Sequence, residues 1–158
     1  MTPYQSGTTD ARIQPRGARQ QHCARQLALP TEAKAASLAR RATRDALTAW
    51  RMTHLEETAV LLVSELVTNV VLHAQAFPAF MMLRLEIADA WLRIEVHDAD
   101  PSWPRPRTPG CLEESGFGIQ LVHVLADRWG VREVPPGKAV WAELNARPDR
   151  EARIAAAG

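Results

Sequence analysis

The sequence has few cysteines, almost no net charge and no long apolar run, and each absence excludes a class of protein. Its 158 residues include two cysteines, Cys23 and Cys111, which form no CxxC pair. They provide neither a disulfide framework nor a zinc site, and they fit a reducing cytosol. The formal net charge of +1 argues against a nucleic-acid-binding domain, because such domains are usually strongly basic. No apolar run approaches the roughly 18 residues of a membrane-spanning helix.

The composition is that of an ordinary globular protein, with 46% hydrophobic and 23% charged residues. A chain of this length can bury a core as one domain without disulfides or a structural metal. Residues 1–20 lack apolar periodicity and contain no apolar segment of the secretory-signal type. We therefore expect a disordered tail over 1–20, a folded domain over 21–147, a solvated tail over 148–158, and a cytoplasmic location.

The hydrophobic pattern of the folded part changes between the strand period and the helix period. It predicts three helices, of which the second, over 53–74, is apolar nearly all round and therefore largely buried. Thr31 and the Thr53/Glu56 capping box are expected to start the first and second helices. The fold class that follows is α+β: a two-layer α/β sandwich with a mostly antiparallel or mixed sheet covered on one face by three helices. The remaining predicted elements are strands at 22–29, 80–88, 91–96, 129–134 and 138–144, helices at 31–50 and 116–126, and a proline-rich loop at 98–110.

Polar residues on the buried helix are informative because burying them without partners is costly. Glu65 and Asn69 are four residues apart and therefore share one helix face, which His73 continues one turn further. One interpretation is that backbone or water satisfies these groups at the helix edge. The other is a functional pair, in which the carboxylate accepts a proton and the amide oxygen binds a cation such as Mg²⁺.

Two further features stand at the ends of predicted elements. Asp98 ends a strand before the proline-rich loop. There it initiates a turn, accepts a hydrogen bond from a nucleobase amino group, or binds a cation. Gly116-Phe117-Gly118 precedes a helix, where glycines give backbone N–H groups close access to phosphates, although a lone GxG also serves as a simple helix entry. Neither the Rossmann nor the Walker pattern is present.

Taken in order, these features resemble the GHKL ATPase superfamily, and most closely its bacterial, actinomycete-type anti-sigma factor serine/threonine kinases. The local matches are LLVSELVTNVVLHA, ESGFGIQLVHVLADRWGV and GKAVWAEL. The resemblance implies that Glu65 is the catalytic general base and that Asn69 binds Mg²⁺ and thereby the phosphates. It implies further nucleotide-binding roles for His73, Asp98, Gly116, Phe117 and Gly118. Among them, Asp98 would accept a hydrogen bond from the adenine amino group.

The resemblance also implies cofactors, partners and a role in transcription regulation. The cofactors would be ATP and Mg²⁺, and the partners a sigma factor and an anti-sigma factor antagonist, which the protein would phosphorylate. No direct nucleic-acid or membrane contact is expected, and relatives of this type commonly form homodimers. The first glycine box departs from the family, since Asp98-Ala99-Asp100-Pro101 has no glycine. The alternative is therefore a non-catalytic protein-docking module with a degenerate nucleotide pocket.

Overall fold

A five-stranded sheet carries the fold, and helices cover one of its faces. The computed structural model describes residues 22–73, 80–99 and 117–147. The strand order is β1-β2-β3-β5-β4, and all neighbouring strands are antiparallel. In chain order the elements are β1 (Cys23–Pro30), α1 (Ala35–Ala49), a 3₁₀ turn (Thr53–Leu55), α2 (Glu56–His73), β2 (Phe80–Ala88), β3 (Trp91–Asp98), α3 (Phe117–Leu125), β4 (Arg128–Val134) and β5 (Gly137–Asn145).

The core lies between α2 and the sheet. Alternate residues of the strands point toward the helices, as in β2, where Met81, Leu83, Leu85 and Ile87 are buried. Helix α2 packs against α1 on one flank and α3 on the other, which explains why it is apolar nearly all round. The predicted α+β sandwich is confirmed, and so is the predicted order of strands and helices. The central side chains of this core include Leu62, Val63, Leu66, Val67, Leu83, Leu85, Leu92, Ile94, Val96 and Val122.

The predicted helix starts are wrong in detail. Helix α1 begins at Ala35 with Lys34 in the N-cap position and no side-chain capping bond, so Thr31 does not cap it. Thr53 opens the 3₁₀ turn that precedes α2, so the capping box is not the start of the α-helix itself. A tight turn joins β2 and β3, with Asp89 and Ala90 both at positive φ, as a two-residue hairpin of type I′ requires. Within the described residues, no helix combines the length and apolarity needed to cross a membrane.

The second face of the sheet bears a network of ion pairs. Its centre is Glu95 on β3, whose side chain is only 4% exposed and contacts Arg132, Arg93 and His97. Arg93 also donates to Glu143 and lies 4.3 Å from the centre of the Trp141 ring. Pairing is what makes a buried carboxylate tolerable on this face, since an unpaired one would be strongly destabilising.

This environment lowers the pKa values of two side chains in the network, His97 and Glu95. Burial lowers the pKa of His97 below its ordinary value of 6.5, Glu95 opposes this, and Arg132 and Arg84 reinforce it. For Glu95, burial acts to raise the pKa, but contacts with Arg132, His97 and Arg93 outweigh it and hold the pKa below its ordinary value of 4.5. The two groups therefore affect stability in different pH ranges.

We predict that stability falls as the pH drops through 6.5, because the unfolded chain then binds a proton at His97 that the folded protein binds less well. Glu95 adds to this loss only below its ordinary value of 4.5. The measurement is the unfolding temperature from pH 8 to 5.5 for wild type and His97→Gln, each referred to its own value at pH 8. The variant should show the flatter profile, and identical profiles would contradict the assignment.

Candidate functional site

Helix α2 carries the first pair of candidate residues at the boundary of its buried surface. Glu65 and Asn69 are both half-buried and one turn apart. The Nδ2 atom of Asn69 is buried and has no hydrogen-bond partner among the described residues. A buried donor without a partner costs about 1–3 kcal/mol. The helix therefore holds a polar group that a ligand with acceptor oxygens would satisfy.

The second component is an ion pair at the end of the sheet. Asp98 is the last residue of β3 and lies opposite Lys138 in the ladder with β5. Lys138 Nζ donates to Asp98 Oδ2 at 3.1 Å, and the two side chains are 10% and 7% exposed. Both residues have the same strand parity as the core residues Val96 and Val140, so the pair lies on the face covered by α2.

Gly137 fixes the backbone around Asp98. A Cβ atom at this position would lie 2.0 Å from the Asp98 carbonyl oxygen and 2.5 Å from Ala99 Cα. No side chain fits there, because both neighbours are backbone atoms. The close approach locks the end of β3, where the expected first glycine box begins, against the start of β5.

Contacts at the far end of the sheet set the direction of α2. Just before the helix, the His54 ring is 3.1 Å from the carbonyl oxygen of Ala146, which follows the end of β5. The 18-residue helix is about 27 Å long and packs across β3 and β5. Because it starts beside the end of β5, its second half, with Glu65 and Asn69, extends toward the end of the sheet that holds Asp98.

Helix α3 brings its first turn toward the same end. After α3, Asp127 donates its backbone N–H to the carbonyl of Glu143 and accepts from Asn145 N–H through its side chain. The C-terminus of α3 is thereby tied to the far end of β5, and its N-terminus points the other way. Phe117 and Gly118 form the start of α3, which packs against α2.

Several candidate residues lie outside the part of the chain that the structure describes. Gly116 and the predicted proline-rich loop beyond Ala99 lie outside the described residues, as do Asp100, both tails and Cys111. His73 is the last residue of α2, but its side chain and that of Phe117 also lie outside them. The structure brings the second half of α2, the Asp98–Lys138 pair and the start of α3 toward one end of the fold.

The donor set fits a magnesium nucleotide. Mg²⁺ is usually bound by one or two protein ligands together with substrate phosphates, and the amide oxygen of Asn69 can serve as one such ligand. Within the described residues no group of three or more His, Cys, Asp or Glu side chains is placed to hold a metal by itself. A metal at this site would therefore depend on the phosphates as well as on the protein.

Sequence reasoning missed Lys138 and Gly137. They are the first two residues of the GKAVWAEL string, to which the family resemblance assigns no site residue. The signal for Lys138 is its place in the alternation of β5: it shares the parity of buried Val140, Ala142 and Leu144. A lysine at a core-facing strand position needs a buried partner, and Asp98 is the residue that the ladder brings opposite it.

A family model described as the histidine kinase-like ATPase domain matches residues 29–144. The chain belongs to that family, and the GHKL resemblance expected from its motifs is confirmed. A Streptomyces coelicolor protein described as uncharacterized is 34% identical over 88 residues, which cover 54% of this chain and 83% of the relative.

A solved structure has a similar fold. The crystal structure of the RsbU and RsbW domains of Rv1364c from Mycobacterium tuberculosis has a TM-score of 0.60 to this chain at 18% identity. The match covers 77% of this chain and 31% of that chain, so this chain spans about a third of its solved neighbour. At this identity the likeness concerns the fold alone.

We predict that Gly137→Ala destabilises the protein by about 3 kcal/mol or more, because the new methyl group overlaps backbone that cannot move without breaking the ladder. Gly130→Ala is the matched control on the adjoining strand, where a Cβ meets the Trp141 side chain at 2.8 Å. Since a side chain can shift, this variant should lose less stability. Urea unfolding of both variants checks the order, and equal losses would contradict it.

Proposed function

We propose that the protein is an ATP-binding regulator of the anti-sigma factor serine/threonine kinase type. In this role it binds a sigma factor and phosphorylates a Ser or Thr hydroxyl of an antagonist protein. Membership of the histidine kinase-like ATPase family supports ATP binding, and the similarity in fold to an RsbW-containing structure supports the regulatory role. The observation that carries the proposal is the Glu65–Asn69 pair, with a buried amide group that no described residue satisfies.

The chemistry follows from the positions of these residues. Asn69 would hold the metal–phosphate group in place, and Glu65, one turn earlier, accepts the proton of the attacking hydroxyl. The hydroxyl oxygen bonds to the γ-phosphorus, the bond to the β-phosphate oxygen breaks, and ADP leaves with the electron pair. Bound Mg²⁺ would supply neutralisation of phosphate charge. Such a reaction needs mainly positioning and electrostatic stabilisation.

The protein is expected to bind MgATP, and Asn69→Ala should weaken binding at least tenfold, because the variant loses the amide that holds the phosphates. Isothermal titration calorimetry measures this directly. Ser64→Ala is the matched control: Ser64 is half-buried on the same helix but bonds to Val60 O and receives a hydrogen bond from Arg40 on α1. Equal affinity of the two variants would argue against a phosphate-binding role for Asn69.

Glu65→Gln should separate binding from turnover. It preserves size and a hydrogen-bonding oxygen, so the dissociation constant for MgATP should change less than threefold, whereas loss of the proton acceptor should slow turnover roughly 100-fold or more. The readout is conversion of radiolabelled ATP to ADP, first with water as acceptor and then with an antagonist-type protein. Wild-type turnover in Glu65→Gln would rule out the general-base role.

One observation favours the alternative, a protein-docking module without catalysis. The family resemblance implies that Asp98 accepts a hydrogen bond from adenine. In this structure Lys138 donates a hydrogen bond to Asp98 within a buried ion pair. If this pair closes the pocket, folded wild-type protein shows neither heat nor thermal stabilisation at millimolar MgATP. That result would replace the kinase proposal by the docking module.

A further inference from the structure

We propose that β1 pairs with β1 of a second copy of this chain, so that two five-stranded sheets join into one continuous sheet. The pairing is antiparallel, about a two-fold axis that passes through Leu27. It assigns a surface to the homodimer expected from the family resemblance, and it stands whether or not the protein binds nucleotide.

The outer side of β1 is an unpaired sheet edge within the described part of the chain. In the strand order β1 comes first, and β2 is its neighbour. In an antiparallel pair, alternate residues direct both of their backbone groups away from the partner strand. No backbone hydrogen bond from another described segment reaches these groups. Such an edge is a template on which a further strand can pair.

The two edges of the sheet differ in how well they are protected. Natural edge strands usually carry charges that oppose the approach of a second strand. The β4 edge has Arg128, Arg132 and Glu133, whereas Arg25 is the one charged residue of β1. The β1 edge is therefore the better acceptor of another strand.

Two exposed leucines border the β1 edge on the helix-covered side. Leu27 lies opposite buried Leu83 in the ladder, yet it is 37% exposed. Leu38 on α1 is 43% exposed. It lies about 200° around the helix from Arg40, which contacts Ser64 on α2, so it points away from α2. Because α1 packs on β1 and α2 packs on β3 and β5, that side of α1 faces the open edge, and an added strand would cover both leucines.

Self-pairing selects the register. A two-fold axis perpendicular to the sheet keeps the helices of both copies on one side, so facing residues share a strand face and the axis passes through a residue. An axis at Arg25 would place two arginines face to face, and one at Gln26 would make them diagonal neighbours. An axis at Leu27 places the two exposed leucines face to face and puts the arginines on opposite sides of it. Apolar cross-strand pairs stabilise a sheet, whereas opposed like charges destabilise it.

This arrangement leaves the candidate site open. β1 ends at Pro30, opposite Phe80 at the start of β2, and the next ladder places Met82 opposite His97 near the end of β3. The last residue of β1 is thus at the end of the sheet that holds Asp98. Because the two paired strands run in opposite directions, the two sites of the dimer lie at opposite ends of the joined sheet.

The oligomeric state tests the pairing. The full wild-type chain at about 100 μM, far above a micromolar dissociation constant, should sediment with a mass near twice 17.5 kDa. Leu27→Lys should be monomeric, because it places two ammonium groups face to face at the axis. Leu72→Lys is the matched control: Leu72 is 61% exposed on α2, and this variant should remain dimeric.

Cysteine crosslinking tests the register without a disruptive charge. In a Cys23→Ser, Cys111→Ser background, Leu27→Cys should form a disulfide-linked dimer under mild oxidation, because its two copies meet at the axis. Arg25→Cys is the control on the same strand face. Its two copies lie two residues to either side of the axis, about 13 Å apart along the strands, which is beyond the reach of a disulfide.

Three results would overturn the inference. A monomeric wild type means that no second copy occupies the edge. A Leu27→Lys variant that is folded by circular dichroism and still dimeric places the interface on another surface. A disulfide at position 25 but not at position 27 rules out the axis at Leu27. No step of the test uses a ligand, so its result is independent of the proposed function.

Discussion

The burial of α2 is the constraint on which the rest of the structure depends. A helix that is apolar over most of its circumference must be covered on several sides, and here α1, α3 and the sheet provide that cover. The cover leaves a strip along the helix, to which Glu65 and Asn69 are confined. Packing therefore fixes the rotation of α2 about its axis, and that rotation directs the two polar side chains.

The same packing explains why the candidate site forms at one end of the sheet. Contacts of His54, Asp127 and their partners tie the start of α2 and the end of α3 to the end of β5. At the opposite end, the backbone of Gly137 packs closely against that of Asp98 and Ala99, and the buried Asp98–Lys138 pair lies beside it. One end thus supplies backbone anchoring, and the other collects the groups that can bind a ligand.

The sequence predicts the fold well because the strand and helix periods are clean and the central helix is unusually apolar. Glu65, Asn69 and Asp98 could be singled out because each interrupts an apolar pattern or ends an element. Lys138 could not be assigned, because its meaning depends on the β3–β5 register, which brings residues 40 positions apart face to face. The Glu95 network was equally hidden: each of its charges is ordinary on a solvent-facing strand, and only the register shows that they converge.

The two faces of β3 separate stability from ligand binding. Successive residues of a strand point to opposite faces, so His97 belongs to the ion-pair network whereas Asp98 belongs to the candidate site. The stability change expected below pH 6.5 arises on the network face, because burial and the neighbouring arginines lower the pKa of His97 there. A change in stability near pH 6 therefore does not require protonation of any group in the site. Conversely, a ligand at Asp98 need not disturb Glu95 or its partners, since the sheet backbone lies between them.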